Sequence, residues 1–277
     1  MNKPSPYPIY DSSRQNIPAL EEIREIWNYR NLVVQFVRRD LLTRYKRSVL
    51  GVGWTMLNPL MTMLILTIVF SKAFGANQPG YAAYVLSGLI SWNFFAQSTN
   101  AATVHLVWGG NLIRRIYLPR TSFAVSAVGT GLINLVLSLI PLLIVMLITG
   151  VPIRWTVIFL PVPILFLSMF ALGVGLLISA FAVYYADVAE MYQIVLVAWL
   201  YLTPVIYAPD ILPEMYRKYI VLLNPMSYMI SLFRAPIYDG RIPSVFEIAI
   251  TGAIALVTLI TGWVYFTNRA DEFAYRV

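Results

Sequence analysis

Cysteine is absent from this chain of 277 residues, and histidine occurs only at position 105. The missing cysteine excludes a disulfide framework, a thiolate nucleophile and an iron–sulfur cluster, and one histidine cannot build a two-histidine metal site. Charged residues are also scarce, at 12%, whereas apolar residues reach 59%. This much apolar surface exceeds what a soluble core of this size can hide, and it excludes a disordered chain. We therefore expect a membrane protein without a bound metal.

The few charges leave long uncharged stretches between them, at 48–71, 73–113, 121–153, 155–186, 191–209 and 248–268. A helix needs about 20 residues to cross a hydrocarbon core of about 30 Å, so each stretch can hold one span. We place the spans at 52–70, 83–104, 123–149, 157–183, 191–207 and 248–267. The sequence thus predicts an all-α integral membrane protein with six transmembrane helices. Residues 1–49 would form an N-terminal arm and residues 50–277 the membrane domain.

The basic residues predict the orientation of these spans. With six spans both termini lie on one side, and fourteen of the twenty Lys and Arg residues lie on that side. The positive-inside rule predicts that this side is cytoplasmic. The first 47 residues have no continuous apolar core of the kind found in a secretory signal peptide. The arm is therefore expected to be a cytoplasmic segment.

The arm contains a predicted amphipathic helix that begins after Pro18, with residues 28–31 expected to divide it. Its apolar residues recur at spacings of three, four and seven. The residues on this face are Leu20, Ile23, Trp27, Val34, Val37, Leu41 and Tyr45. Such a helix lies in the membrane interface with its apolar face among the acyl chains. Its basic end is expected to attract anionic lipid and to set the topology, with a substrate or partner contact as the alternative.

Two connections carry more apolar residues than ordinary loops do. In the loop 104–122, two glycines precede Asn111, Leu112, Ile113, Arg114 and Arg115. This pattern predicts a short helix that serves either as a docking ridge for a partner or as an interfacial helix on lipid. The uncharged run 219–233 is too short to span and contains Asn224-Pro225. It favours a re-entrant or interfacial segment between the fifth and sixth spans.

Motifs for nucleotide binding and for catalysis are missing from these residues. The sequence has no G-x-x-x-x-G-K-[ST], no H-E-x-x-H and no G-x-S-x-G motif. No acidic residue lies inside a predicted span, which disfavours proton coupling. Two glycine pairs, Gly51 with Gly53 and Gly173 with Gly175, lack a following Lys-Ser/Thr and are expected to allow close helix packing.

Three stretches of the chain, in a fixed order, resemble a known family. They are RYKRSVLGVGWTMLNPLMTMLILTIVF at 44–70, NLIRRIYLPR at 111–120, and a third region between 184 and 240 with YYADVAEM, YLTPVIY and LNPMSYMISLFRAPIYDG. Their order and spacing are similar to those of the permease subunits of polysaccharide ABC exporters, the O-antigen, capsule and teichoic-acid group. The similarity covers nearly the whole chain from Leu20 onward.

The resemblance implies a homodimer that works with two copies of a separate P-loop ATPase, on which ATP and Mg²⁺ bind. It implies no cofactor on this chain, no enzymatic activity of the chain by itself and no nucleic-acid partner. The substrate would be an undecaprenyl-pyrophosphate-linked polysaccharide, moved outward across a bacterial inner membrane. The amphipathic helix would contact the ATPase, together with Asn111, Leu112, Ile113, Arg114 and Arg115. The region 208–239 would form paired re-entrant helices at the outer mouth.

The same resemblance implies that the first and fifth spans line the path of the polymer. Helical spacing places Trp54, Asn58 and Met61 on one face of the first span. The same spacing places on one face of the fifth span Tyr192, Trp199 and Thr203. Aromatic rings on these faces would hold a glycan weakly by stacking, at about 1 kcal/mol per contact.

Three arginines just before the first span, Arg38, Arg39 and Arg44, would gather the pyrophosphate at the cytoplasmic opening. The planar guanidinium fits phosphate oxygens better than a lysine ammonium does. Generic attraction of anionic lipid is the competing account of these residues.

Two other functions remain open at this point. One is a membrane acyl- or glycosyltransferase that modifies lipid-linked sugars, which is expected to carry buried acids or a His/Asp base near the membrane surface. This sequence has only scattered acids. The other is a drug or lipid efflux permease of the same superfamily, which would need fewer aromatic residues and no polymer-wide channel.

Overall fold

The computed structural model describes residues 18–46, 48–73, 80–108, 118–270 and 272–273. The described part of the chain is all-α, as predicted. Its helices are α1 Pro18–Asn28, α2 Arg30–Tyr45, α3 Gly53–Ala73, α4 Tyr81–Trp108, α5 Thr121–Ile148, α6 Pro161–Tyr184, α7 Asp187–Leu202, α8 Glu214–Leu223, α9 Pro225–Ile237 and α10 Val245–Thr267. Short 3₁₀ turns lie at Trp155–Phe159 and Pro209–Ile211.

Helix α4 is the centre of the bundle and packs on α3, α5, α6, α7 and α9. Its Phe95 is fully buried and stacks on Phe170 of α6, with the ring centroids 5.3 Å apart. Leu86, Leu106 and several other α4 side chains are equally buried. Most of one long helix is therefore screened from any surrounding lipid, which explains how it accommodates polar residues along its length.

Glycines allow α6 and α10 to pack backbone against backbone. A Cβ atom at Gly173 would lie 2.5 Å from the carbonyl oxygen of Thr258, and one at Gly262 would overlap the carbonyl oxygen of Gly173. A Cβ atom at Gly175 would lie 3.2 Å from Cβ of Ala102 in α4. The predicted role of Gly173 and Gly175 in close helix packing is confirmed.

The other predicted glycine pair behaves differently. Gly51 has φ +48°, in the left-handed region, and no atom of the described residues lies within 4 Å of an added Cβ. Gly51 therefore serves the turn before α3 and not helix packing, because its backbone conformation is one that residues with a side chain rarely adopt. Among the described residues, an added Cβ at Gly53 has only Leu50 near it, at 3.8 Å, so the packing prediction for this pair is wrong.

Among the described residues, four segments are long and apolar enough to cross a membrane: Gly53–Phe70, Thr121–Ile148, Trp155–Tyr184 and Val245–Thr267. They coincide with the first, third, fourth and sixth predicted spans. The second prediction is covered by α4, with 28 residues, and the fifth by α7, with only 16. The helices support a multi-pass membrane protein, while the number of six spans stays a prediction.

The predicted ends of the fifth span are wrong. Helix α7 begins at Asp187, four residues earlier than predicted, and ends at Leu202, five residues earlier than predicted. Asp187 and Glu190 lie in its first turn, where negative charge is favoured by the helix dipole. At the other end Pro204 has no N–H to continue the helix and disfavours helical geometry at Thr203, which is extended with ψ 137°.

The segment between α7 and α10 folds into a bent helix pair. Residues Arg217–Leu223 and Pro225–Ile237 meet at an angle of 84°. Asn224 lies at the bend, and its Oδ1 accepts a 3.0 Å hydrogen bond from the backbone N–H of Met226, which caps α9. A proline at the first helical position is tolerated because that N–H needs no partner. This geometry agrees with the predicted re-entrant segment.

The arm packs on the bundle as two helices. They are divided at Tyr29, within the predicted 28–31 break. Phe36 of α2 is buried and stacks on Phe123 of α5, with the ring centroids 5.3 Å apart. In α1, Leu20, Ile23 and Trp27 are exposed, as a lipid-facing stripe requires, and their placement in the membrane interface stays a prediction.

Candidate functional site: a polar crevice between four helices

A polar crevice opens between α2, α3, α4 and α5. It consists of two adjoining cavities of about 260 Å³ and 400 Å³, which share four lining residues. The shared residues are Arg44, Gln97, Gly131 and Asn134. Since α3 lines the first cavity with its first two turns, the crevice lies at one end of a candidate membrane span.

The first cavity has uncharged hydrogen-bonding groups among apolar lining residues. Three helices contribute amides and hydroxyls to it: Thr55, Asn58, Asn93, Gln97, Asn134 and Ser138. Ser138 Oγ donates a 2.8 Å hydrogen bond to the carbonyl oxygen of Asn134 in its own helix. The side chains of Asn58, Asn93 and Gln97 have no hydrogen-bond partner in the part of the chain described. Each amide both donates and accepts hydrogen bonds, so the cavity can bind hydroxyl groups that act as donors or as acceptors.

The second cavity adds charged groups from the arm. Arg39 pairs with Asp40 at 3.2 Å and lies over the ring of Phe36, with its Cζ 5.1 Å from the centroid. Asp40 also faces His105 of α4, with 3.7 Å between Oδ2 and Nδ1. The charge of Arg39 is thus compensated locally. Arg44 has no carboxylate within ion-pair distance among the described residues, and its side chain is exposed to both cavities.

The glycine at position 131 of α5 allows α4 to approach closely beside the crevice. A Cβ atom there would overlap Oγ of Ser98 and would lie 3.1 Å from Cε2 of Phe94, both on α4. A larger residue would push α4 and α5 apart at the place where their amide side chains line the same cavity. Thr130 Oγ1, beside it, is buried and has no hydrogen-bond partner among the described residues.

The structure brings together part of the set of residues predicted from sequence. Arg44, Trp54 and Asn58 line the first cavity, and Arg39 lines the second. Other predicted residues lie elsewhere. Arg38 faces a separate surface groove on α2, and Met61 is exposed on α3, beyond the residues that line the crevice. The loop residues Asn111, Leu112, Ile113, Arg114 and Arg115 lie outside the described part of the chain.

The three path residues predicted for the fifth span, two on α7 and Thr203 directly after it, face into the bundle of their own chain. Tyr192 is buried, and its hydroxyl donates a 2.7 Å hydrogen bond to Thr99 Oγ1. The indole of Trp199 packs edge-on against Phe95 at 5.3 Å, and Thr203 is fully buried. The opposite face of α7 is exposed and carries Met191, Ile194, Val197 and Tyr201. Within one chain these three predicted residues are packing groups, and their role in a path stays a prediction.

Sequence reasoning missed three amides of the crevice and a buried arginine. Asn93, Gln97 and Asn134 were passed over because an isolated amide in an uncharged stretch does not interrupt a predicted span. The available signal for Asn93 and Gln97 was the cost of an amide without a hydrogen-bond partner in an apolar setting, about 1–3 kcal/mol for each group. Such a cost favours residues that line a wet or ligand-filled cavity.

Arg234 of α9 is buried and joins α9 to α4 and to the segment that follows α7. Its Nη1 donates to the carbonyl oxygen of Pro204 at 2.6 Å, and its Nη2 donates to the carbonyl oxygens of Val205 and Tyr84 at 2.6 and 3.1 Å. The guanidinium also lies 3.6 Å from the centroid of the Tyr84 ring. A Cβ atom at Gly88 would overlap Nη2, so the glycine at position 88 leaves the space that the guanidinium occupies.

Beyond α9 the chain returns toward α10 through a small charged cluster. Burial raises the pKa of the Asp239 carboxyl, and Arg241, 3.6 Å away, opposes that shift. Arg241 also binds both carboxylate oxygens of Glu247, at 2.7 and 2.8 Å. Glu247 in turn closes a capping box with Ser244 at the start of α10. This cluster fixes where the last span begins.

Comparison with known proteins assigns the chain to a family. The model of the ABC-2 type transporter family matches residues 31–238, which include the crevice, α7 and the bent helix pair. The chain belongs to the ABC-2 type transporter family. The match begins in α2 and ends just beyond α9, so the arm helix that carries Arg39 and Arg44 is part of the family's common region.

Individual relatives in this family cover nearly the whole chain. The chain is 30% identical over 253 residues to the O-antigen export system permease protein RfbA of Myxococcus xanthus, covering 91% of this chain and 97% of that protein. It is 24% identical to RfbA of Klebsiella pneumoniae, over 88% of this chain and 94% of that protein. The capsule polysaccharide export inner-membrane protein CtrC of Neisseria meningitidis is 20% identical, over 77% of this chain and 81% of its own length.

Proposed function

We propose that this chain is the membrane subunit of an ATP-driven exporter that moves lipid-linked polysaccharide from the cytoplasmic to the outer side of a bacterial inner membrane. The observation that carries the proposal is the end-to-end similarity to a permease named for O-antigen export. A second permease, named for capsule polysaccharide export, matches over most of its length. The substrate class is accordingly a long polysaccharide, and O-antigen is the first to test.

The energy for transport comes from a separate subunit in this proposal. The sequence has no P-loop, so ATP and Mg²⁺ would bind on two copies of a partner ATPase. The arm and the loop with Asn111, Leu112, Ile113, Arg114 and Arg115 would form its docking surface. The exposed stripe of Leu20, Ile23 and Trp27 would lie in the lipid interface beside it.

The path for the polymer would lie between two copies of the chain. Helix α3 is mostly exposed, and so is the outward face of α7, including Tyr201 at 61%. Trp54 and Asn58 on α3 carry the aromatic and polar groups suited to a sliding glycan. Six spans with both termini in the cytoplasm would place the polar crevice at the cytoplasmic end of α3.

The test is a deletion of the gene in its own bacterium, followed by complementation with the intact chain. Surface polysaccharide is expected to disappear on deletion while lipid-linked polymer accumulates inside, and complementation is expected to restore export. A transferase that modifies the glycan would leave polymer at the surface with an altered structure. Normal amounts of unaltered surface polysaccharide after deletion would contradict both accounts.

A further inference from the structure

We propose that the polar crevice binds the head group of the lipid-linked glycan, with the phosphates at Arg44 and the first sugar against Asn58, Asn93 and Gln97. This inference rests on the proposed function and names the place where that substrate is recognised. It differs from the arginine cluster predicted from the sequence, because Arg38 lies outside the crevice and Arg39 is paired with Asp40.

Of the two described arginines that line the crevice, Arg44 is the one without a carboxylate partner. It lines both cavities, and no described carboxylate pairs with it. Arginine binds phosphate oxygens through two parallel N–H donors, which makes the contact stronger and more directional than a lysine contact. A phosphate held there would lie at the first turns of α3, the end of a membrane span, where lipid head groups are found.

The amide side chains suit a sugar better than they suit a second phosphate. Asn58 and Asn93 lie on different helices and offer both donors and acceptors without a net charge. The hydroxyls of a sugar ring need this mixture, whereas a phosphate needs donors only. The second cavity, about 400 Å³, is within the range of small-molecule sites, roughly 300–1,000 Å³, and the adjoining first cavity, about 260 Å³, is slightly below it.

The position of these amides supports a ligand over a purely structural role. Asn58 and Gln97 are exposed and Asn93 is half-buried, and none of the three has a hydrogen-bond partner among the described residues. Polar side chains that stabilise a bundle normally bond across helices, as Tyr192 does with Thr99. Groups that instead point into a cavity without partners are positioned to bind what enters it.

The test measures binding directly and without transport. The full-length chain is placed in phosphatidylcholine nanodiscs, and its affinity is measured for a labelled short-chain prenyl pyrophosphate that carries one hexose. Asn58→Leu and Asn93→Leu are each expected to weaken binding about three- to tenfold, the effect of losing one or two neutral hydrogen bonds. Arg44→Gln is expected to weaken it more than tenfold, and Arg44→Lys to an intermediate degree.

Matched controls keep charge and amide content comparable. Asn31→Leu removes an exposed amide at the start of α2, and Arg24→Gln removes an exposed arginine from α1. Both variants are expected to bind the probe like the unaltered chain. Gel filtration of each variant shows whether it folds, and Asn58, being exposed, is the substitution least dependent on packing.

Competition distinguishes the two sources of phosphate. Phosphatidylglycerol added to the nanodiscs is expected to displace the probe only weakly, and displacement at equal affinity would overturn the proposal in favour of a general anionic-lipid site. Unchanged affinity in the Asn58, Asn93 and Arg44 variants would also overturn it. If the complemented strain still exports polysaccharide, such a result leaves the proposed function standing, so the two failures are separable.

Discussion

The indole Nε1 of Trp199 donates a 2.8 Å hydrogen bond to Oδ1 of Asn224, which joins the last turn of α7 to the start of α9. The same amide donates from Nδ2 to Thr203 Oγ1 at 2.9 Å. One side chain at the bend between α8 and α9 therefore holds the end of α7. Its partners are two residues that the sequence suggests as path residues.

Asn224→Leu is expected to lower stability markedly, because it removes both the cap of α9 and the bonds to Trp199 and Thr203. A lost cap contributes about 1 kcal/mol and each unpaired buried group about 1–3 kcal/mol. The measurement is thermal unfolding in detergent. The control is Asn31→Leu, at an exposed amide on α2. Equal melting temperatures for the two variants would show that the Asn224 bonds are not stabilising.

Trp199→Ala is expected to reduce thermal stability and export together, because the half-buried indole packs on Trp92 and Phe95. Removing a buried aromatic ring costs about 3–5 kcal/mol, and a half-buried one correspondingly less. Trp199→Phe keeps the ring and is expected to retain most of both properties. The readouts are melting temperature and surface polysaccharide per inserted transporter. Loss of export at an unchanged melting temperature would instead indicate a path role.

Gly262→Ala is expected to destabilise the bundle by about 1–3 kcal/mol, because the added methyl group overlaps the carbonyl oxygen of Gly173. Backbone atoms cannot turn away as a flexible side chain can. Gly53→Ala is the control, since an added Cβ there has only Leu50 nearby, at 3.8 Å. Chemical denaturation of both variants in detergent checks this, and a Gly262→Ala protein as stable as Gly53→Ala would be the contrary result.

Arg234→Lys is expected to destabilise the bent helix pair by about 2–4 kcal/mol, since an ammonium cannot reach the carbonyls of Pro204, Val205 and Tyr84 together. Arg217→Lys is the control, because its pair with Asp210 is exposed and worth less than about 1 kcal/mol. Limited proteolysis of membrane vesicles reports loosening of the 208–240 region. Similar cleavage rates for the two variants would mean that Arg234 does not stabilise the 208–240 region.

Local features of the sequence predicted much of the fold. The uncharged stretches located α3, α5, α6 and α10, and the break in the arm and the bend at Asn224-Pro225 were also foreseen. These features depend on residues close together in the chain: apolar length, a proline without an N–H, an amide that caps the next turn. The predicted end at 207 failed because Pro204, three residues earlier, already ends the helix.

The sequence by itself determined the class of protein, the position of most helices and the family. Only the tertiary structure decided which helical faces meet: that Tyr192, Trp199 and Thr203 face inward, that Arg234 is buried, and that Asn58, Asn93 and Asn134 line one cavity. The reason is that lipid tails are as apolar as a protein core, so hydrophobic periodicity does not distinguish the face packed on protein from the face exposed to lipid. A helical period identifies residues that share a face, and the neighbour of that face is set by packing between helices far apart in the chain.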